Sequence, residues 1–156
     1  MSSHTPLIES YVAGIDSLKK AVAGLTPEQI KARPIPGKWS VLECVCHLSD
    51  FEPIMADRMK RIITHPKPLL MGADENLFAK QLAYHDRDVA EELAIVENTR
   101  RQMAKILTGL PSEAWQRVGN HAERGLLTLE QILQLATRHI PHHVKFIDEK
   151  RKALGP

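Results

Sequence analysis

Apolar residues recur along this chain at every third or fourth position, which is the spacing of one face of an α-helix. Four stretches carry a long stripe of this kind, and each predicts a long amphipathic helix. The predicted helices run over roughly 6–23, from 40 to just before 66, from 88 to the turn at 111, and from 128 to about 152. Valine and isoleucine occur, but nowhere in an alternating run bounded by turns, so we expect no sheet.

The segments between the stripes predict how the helices are joined. Ser40 and Glu43 form a capping box at the start of the second long helix, while Pro53 and Pro141 should kink the second and fourth. Short helices are expected after Thr26 and over 74–82, and a loop over 119–125. The predicted fold class is all-α: a bundle of four long antiparallel helices, with a long crossover connection between the second and third. Three or more paired strands would contradict this expectation.

Length and composition are those of one ordinary globular domain spanning residues 1–156. The apolar fraction is 43%, the charged fraction 26% and the formal net charge +2, so a core can form without metals or disulfides. Aromatic residues make up only 4%, which argues against a nucleic-acid surface. No stretch resembles a membrane span or a leader, and Cys44 and Cys46 suit a reducing compartment, so a cytoplasmic protein is expected.

The candidate chemistry lies among the eight histidines. His139 and His143 are four residues apart, and therefore on one face of the last helix, where two imidazoles can bind one ion. They continue the apolar stripe that ends at Ile147, and a buried imidazole needs a partner. A shared metal ion and a purely structural histidine network both satisfy this requirement. His4, His65, His85 and His121 lie near predicted ends or loops and are expected to be solvated.

His47 can supply a third nitrogen from the second helix. Three protein ligands leave a coordination position open for water or substrate, as in catalytic metal sites. Glu43 and Asp50 flank His47 and are candidates to orient an imidazole or to act as a base, with a solvated helix face as the alternative for each. His142 is about 100° around the helix from His143, on the solvent side, and is expected to be an outer or substrate-facing group. Three nitrogens suit zinc, nickel or iron, and no catalytic residue is identified.

The chain resembles the DinB family of helical metalloproteins over nearly its whole length. The resemblance rests on the order and spacing of these segments: Trp39 to Glu43, His47-Leu48 with Asp50, Trp115, the loop His121 to Gly125, Thr128 to Glu130, His139, His142-His143 and Ile147. It implies a four-helix bundle, often dimeric, with one metal ion on His47, His139 and His143. Members with known activity include transferases and isomerases that use bacillithiol, mycothiol or related small thiols.

These features favour a metal-dependent enzyme, in which the ion activates a low-molecular-weight thiol for transfer to a small electrophile. The thiol comes from the resemblance, whereas the residues alone predict only the open metal site. The alternatives are a hydrolase that uses metal-bound water and a non-catalytic bundle that binds metal or ligand. The expected partner is a small-molecule substrate, with no nucleic acid and no membrane, and a homodimer is the expected assembly.

Overall fold

The computed structural model describes residues 4–155, most of which are helical. The helices are α1 (Thr5–Val22), α2 (Pro27–Lys31), α3 (Val41–Thr64), α4 (Glu75–Gln81), α5 (Val89–Thr108) and α6 (Leu129–Leu154). Short 3₁₀ turns lie at Tyr84–Asp86 and Ser112–Gln116, and the strands are β1 (Leu69–Leu70), β2 (Val118–His121) and β3 (Gly125–Thr128). None of the described helices is both long enough and apolar enough to cross a membrane.

The helix starts follow the predicted capping. The Ser40 hydroxyl accepts a hydrogen bond from the Glu43 amide, and the Glu43 carboxylate accepts one from the Ser40 amide, so the capping box is confirmed. Thr128 and Gln131 form the same reciprocal pair at the start of α6. Both α3 and α6 continue as helices through their internal prolines.

The four long helices form a bundle, and the crossover prediction is confirmed. Near the start of α3, Ser49 donates a hydrogen bond to Glu92 of α5, and near its end Lys60 donates one to Gln102 at 2.7 Å. The two helices therefore run in the same direction and pack against each other. The chain between them must return along the length of the bundle, which the connection over 65–88 does.

The crossover makes two pairs of neighbouring helices parallel, so the bundle is not antiparallel throughout, and one of these pairs is α3 with α5. The other is α1 with α6, because His4 lies 3.6 Å from Glu130 at one end while Arg151 donates to the Ala21 carbonyl at 3.0 Å at the other. Both α1 and α3 pack against α5 and α6, so α1 and α3 occupy diagonal corners of the bundle.

The expectation of no sheet is also wrong, since β1, β2 and β3 form a small three-stranded sheet in that order. β1 pairs parallel to β2, and β2 forms an antiparallel hairpin with β3. The loop predicted over 119–125 is therefore too long: only residues 122–124 form the turn, and the flanking residues belong to the two strands. Strands of two and four residues are too short to show an alternating pattern in the sequence. The sheet packs closely on α3: a Cβ at Gly119 would lie 2.8 Å from Leu70 Cδ1 and 2.9 Å from Ile62 Cγ1, so this position requires glycine.

A buried ion pair joins the four long helices at mid-bundle. Arg100 of α5 is fully buried and donates to Glu52 of α3 at 3.0 Å, to the Ala136 carbonyl of α6 at 2.7 Å, and to the Tyr11 carbonyl of α1. The Tyr11 hydroxyl donates to Glu52 at 2.8 Å, which satisfies the carboxylate further. Gly14 gives the guanidinium its space, because a Cβ there would lie 2.5 Å from Arg100 Nη1.

Candidate metal centre

Three histidines from two helices meet beside the bundle axis. His47 of α3 faces His139 and His143, which lie one turn apart on α6. The Nε2 atoms of His47 and His139 are 2.9 Å apart, and His143 lies with its ring centroid 4.5 Å from that of His47. One nitrogen from each ring lies within 4.8 Å of the other two. The structure thus brings together the three residues that the sequence singles out, and the rings of His139 and His143 stay 4.9 Å apart across Pro141.

All three imidazoles are neutral at pH 7. Burial lowers the pKa of His47 to about 4, that of His143 to about 3 and that of His139 to about 2. The neighbouring imidazoles lower the pKa of His139 and His143 further, because a charge on one ring repels a charge on the next. A neutral ring offers a lone pair, so the cluster is ready to bind a cation without first losing protons.

The outer nitrogens of the cluster have no partners. The Nδ1 atoms of His47, His139 and His143 are buried and make no hydrogen bond within the described residues. Ligand histidines in metal sites usually donate this second N–H to a carboxylate or carbonyl. Here the rings are held by packing instead, with Phe51 4.5 Å and Trp39 5.3 Å from His47 between ring centroids.

Glu43 and Asp50 do not take the orienting role considered from the sequence. Both oxygens of Asp50 accept hydrogen bonds from Arg87, at 2.7 and 3.3 Å. Glu43 accepts from Arg33 at 2.6 Å and caps α3. Neither carboxylate hydrogen-bonds to a cluster histidine, because each is already paired with an arginine from a neighbouring connection.

Glu75 is the carboxylate that does lie at the cluster, and sequence reasoning missed it. Its Oε2 is 3.7 Å from His47 Nε2, and its side chain is 53% exposed. In the sequence Glu75 follows Asp74, which caps α4, so an acidic residue there is explained by the helix dipole alone. Only the return of the crossover connection over α3 brings it to the histidines.

The cluster opens into a cavity of about 680 Å³. Aromatic and aliphatic groups wall it beside the histidines, and Arg58, His121, Glu123 and Arg124 also line it. His142 is exposed and lines the cavity, whereas His143 beside it is buried, as the helix phase predicts. The volume falls in the range of small-molecule sites.

Neither cysteine is a thiolate at neutral pH. Cys44 lines the cavity, but burial raises its pKa to about 11, and nearby Lys150 offsets this only in part. Burial likewise raises the pKa of Cys46 to about 12, and its thiol donates to the Tyr84 carbonyl. The chain's own cysteines therefore do not supply a thiolate to this cavity at neutral pH.

The donor set suits a divalent metal ion. A tetrahedral ion with bonds of about 2.0–2.1 Å needs nitrogen ligands roughly 3.3 Å apart. One nitrogen from each ring lies within 4.8 Å of the other two, which is close enough for all three to bind one ion. The facing Nε2 atoms of His47 and His139 can share at most one proton, so a bound cation satisfies lone pairs that the neutral rings leave unpaired.

Comparison with known proteins agrees with the geometry. A family profile described as the DinB superfamily matches residues 11–147. The chain belongs to the DinB superfamily. The family resemblance read from the sequence is thereby confirmed.

Relatives of this DinB member cover most of its length. A Geobacillus thermodenitrificans protein, named provisionally as a metal-dependent hydrolase, is 28% identical over 95% of this chain and 86% of its own. YfiT of Bacillus subtilis, with the same provisional name, is 27% identical over 88% of this chain and 78% of its own.

Two solved structures share the fold. That of Bacillus subtilis YfiT, described as having an unusual four-helix bundle topology, superposes with a TM-score of 0.90 at 25% identity, over 99% of this chain and 90% of that one. A mycothiol-dependent maleylpyruvate isomerase superposes with a TM-score of 0.73 at 10% identity, over 92% of this chain and 60% of that one, and so shows a common fold alone.

Proposed function

We propose that this protein is a metal-dependent enzyme that holds one divalent ion, such as zinc, nickel or iron, on His47, His139 and His143. The observation that carries the proposal is the convergence of three neutral imidazoles, two buried and that of His139 half-buried, at the wall of a cavity large enough for organic substrates. Three protein ligands leave room for an exogenous group, which is the arrangement of catalytic rather than structural sites. The provisional names of the relatives, as metal-dependent hydrolases, support the metal requirement.

The reaction we favour is transfer of a low-molecular-weight thiol to a small electrophile. A bound divalent metal stabilises the thiolate form of a thiol at neutral pH and so supplies the nucleophile. The protein's own thiols stay protonated, and the cavity is larger than one small electrophile requires.

The side chains around the cluster have separate parts in this proposal. Trp39 and Phe51 exclude water from one side of the histidines, which strengthens the electrostatic interactions of the site. Glu75 lies where it can accept the proton that the thiol loses. His142, at the exposed side of the cavity, is positioned to contact substrate.

The direct test is elemental analysis of protein purified without an affinity tag, followed by a conjugation screen. The metal-loaded protein is assayed with several small thiols against a chromogenic electrophile. Proportional loss of activity and of metal in His139→Ala is the expected result. Stoichiometric metal without turnover on any thiol or ester would instead indicate a non-catalytic metal-binding bundle.

Hydrolysis is the second candidate, and Glu75 is the observation that favours it. A carboxylate beside a catalytic metal is the usual general base for water, whose proton is harder to remove than that of a thiol. Glu75→Gln should therefore lower a hydrolytic rate by roughly 10²-fold or more, yet leave thiol transfer within a few-fold.

Glu91→Gln is the matched control for this test. Glu91 is exposed and occupies the first turn of α5 after a capping aspartate, as Glu75 does in α4, but it does not line the cavity. A large effect of Glu75→Gln on ester cleavage, with none from Glu91→Gln, would replace thiol transfer by hydrolysis as the preferred function.

A further inference from the structure

Arg58 is a buried cation without a counter-ion. It lies on α3, lines the same cavity as the histidines, and is only 6% exposed. Its Nη2 donates to the Met71 carbonyl at 2.6 Å and its Nη1 approaches Met55 Sδ at 3.6 Å, while its Nε has no partner. Within the part of the chain that the structure describes, no carboxylate oxygen lies within 4.0 Å of this guanidinium.

Such an arrangement is costly, as Arg100 in the same bundle illustrates. Arg100 is also buried, but it makes an ion pair with Glu52 at 3.0 Å and donates to two carbonyls. Burial of an arginine without such compensation is strongly unfavourable, because the charge loses its hydration and gains no opposite charge in return. Burial accordingly lowers the pKa of Arg58. An anion entering the cavity would supply the missing compensation.

The turn between β2 and β3 places further groups beside Arg58. Glu123 and Arg124 line the cavity there. After burial, they are the largest influences on the pKa of Arg58, which Glu123 raises and Arg124 lowers. The Glu123 carboxylate lies against Gly72, where a Cβ would be 2.9 Å from its Oε1, and does not pair with Arg58. Two arginines and one glutamate leave this end of the cavity with a net charge of about +1, which suits a monoanion such as a carboxylate better than a phosphate dianion.

His121 adds a neutral donor to the same region. It is buried, contrary to the expectation of a solvated residue, and its Nδ1 accepts a hydrogen bond from the Glu123 amide at 3.2 Å. Burial and the nearby Arg58 lower its pKa, so the ring is neutral at pH 7 and carries its proton on Nε2. That N–H has no acceptor among the described residues and is available to an anion.

The distance between Arg58 and the histidine cluster sets the length of a ligand that contacts both. Arg58 follows His47 by eleven positions on one continuous helix, which separates their Cα atoms by about 16 Å. Both residues line the same cavity, and once the lengths of the two side chains are allowed for, a ligand two or three peptide residues long, at roughly 3.5 Å per residue, spans the remaining distance.

We propose that Arg58, with Arg124 and His121, forms a carboxylate-binding subsite for the molecule whose reactive atom lies at the histidine cluster. The inference rests on the proposed function and specifies its substrate class: a thiol or an electrophile of peptide-like length that ends in a carboxylate. Charge-assisted bonds from a guanidinium to a carboxylate fix both position and orientation, so the subsite would hold the distant end of the substrate.

Acetate binding to metal-free protein tests the subsite independently of any reaction. Arginine Nε–Hε signals are followed by NMR during titration with sodium acetate at constant ionic strength. We expect the Arg58 signal to shift and saturate at a concentration roughly tenfold or more below that affecting Arg61. Arg61 is an internal control, because it lies one turn away, is 54% exposed and already pairs with Asp57 at 2.7 Å.

Variants and a second anion complete the experiment. Arg58→Gln should abolish saturable acetate binding, detected through the His121 ring signals, while Arg61→Gln should leave it unchanged. An Arg58 signal that does not saturate, or that follows Arg61, overturns the subsite. Tighter binding of inorganic phosphate than of acetate overturns the assignment to a carboxylate. Because metal and turnover are absent, failure here leaves the proposed enzyme intact, and failure of the conjugation screen leaves the subsite intact.

Discussion

The bundle buries two polar clusters within two turns of each other along α3, and they differ in how their hydrogen bonds are satisfied. At Glu52 the opposite charges are paired inside the protein: Arg100 donates to a carboxylate and two carbonyls, although its Nε has no partner among the described residues, and the carboxylate also accepts from Tyr11. At His47 the three imidazoles contact one another, and each retains a buried Nδ1 without a partner.

The difference distinguishes polar groups that stabilise the fold from polar groups that would gain their missing partner from a ligand. A satisfied buried network fixes the packing of the helices around it. An unsatisfied one stores an unfavourable free energy that is recovered only when something binds. Arg58 belongs to the second kind, although it has the same side chain as Arg100.

The largest expected effect is on the satisfied cluster. Glu52→Gln removes the counter-charge that the described residues give to the buried Arg100 while preserving shape, and should lower the free energy of unfolding by about 3 kcal/mol or more. His139→Gln should change the stability of the metal-free protein by less, about 1 kcal/mol, because His139 makes one neutral contact, with His47 Nε2, and its Nδ1 has no partner among the described residues. Urea unfolding of both variants measures the two changes in the free energy of unfolding. Equal destabilisation would show that the histidines form a structural network.

The next effect distinguishes adjacent residues of α6. His143 is buried in the cluster and His142 is exposed. Groups that only hydrogen-bond to metal ligands typically change metal affinity by roughly 10–100-fold. His143→Ala should weaken metal binding by more than this, because it removes a ligand nitrogen, whereas His142→Ala should weaken it by less than about tenfold. Equilibrium titration with zinc or nickel compares them. A greater loss in His142→Ala would place a different nitrogen on the ion.

A smaller effect per step, roughly 1 kcal/mol for each histidine and pH unit, is expected from pH on the metal-free protein. The cluster histidines have pKa values depressed to between about 2 and 4 in the fold, against about 6.5 when unfolded. Below pH 6.5 the unfolded chain therefore binds protons that the fold excludes, so stability falls by roughly 1 kcal/mol per pH unit for each histidine down to about pH 4. Urea midpoints from pH 7 to pH 4 should show this slope, and His47→Gln should reduce it. An unchanged slope in that variant would mean that other groups cause it.

The smallest effect should be that of chelation on helicity. The hydrophobic core surrounds the site on both sides and does not include the ion's ligands. Metal removal by a chelator should abolish activity and leave the far-ultraviolet circular dichroism nearly unchanged. A large loss of helix signal would contradict the separation of core and metal.

The parts of the fold that the sequence predicts are those that depend on neighbours in the chain. Helix stripes, the box formed by Ser40 and Glu43, and the length of the crossover connection are local signals. The hairpin of β2 and β3 was missed because its four-residue strands are stabilised by packing on α3, where Gly119 meets Leu70. The parallel pairing of α3 with α5 likewise has no local signature.

The candidate site likewise has residues that the sequence predicts and residues that it does not. His139 and His143 are predictable from their spacing on one helix, and His47 from its place beside an apolar stripe. The partners of the charged groups are not predictable in this way, because they lie in connections that are far away in the sequence. Arg87 engages Asp50, and Glu75 takes the place at the histidines that Asp50 was considered for. Which charges stay uncompensated is visible only in three dimensions.

The order of helices around the bundle has a consequence for how the chain is made. α1 and α3 stand at diagonal corners, and the partners of both are α5 and α6. During synthesis α1 and α3 are made first, and their apolar stripes stay exposed until α5 and α6 have emerged from the ribosome. His47 and His139, 92 residues apart, meet only when α6 docks. If the cluster holds an ion as proposed, the complete set of ligands is therefore assembled late, after the rest of the chain has been made.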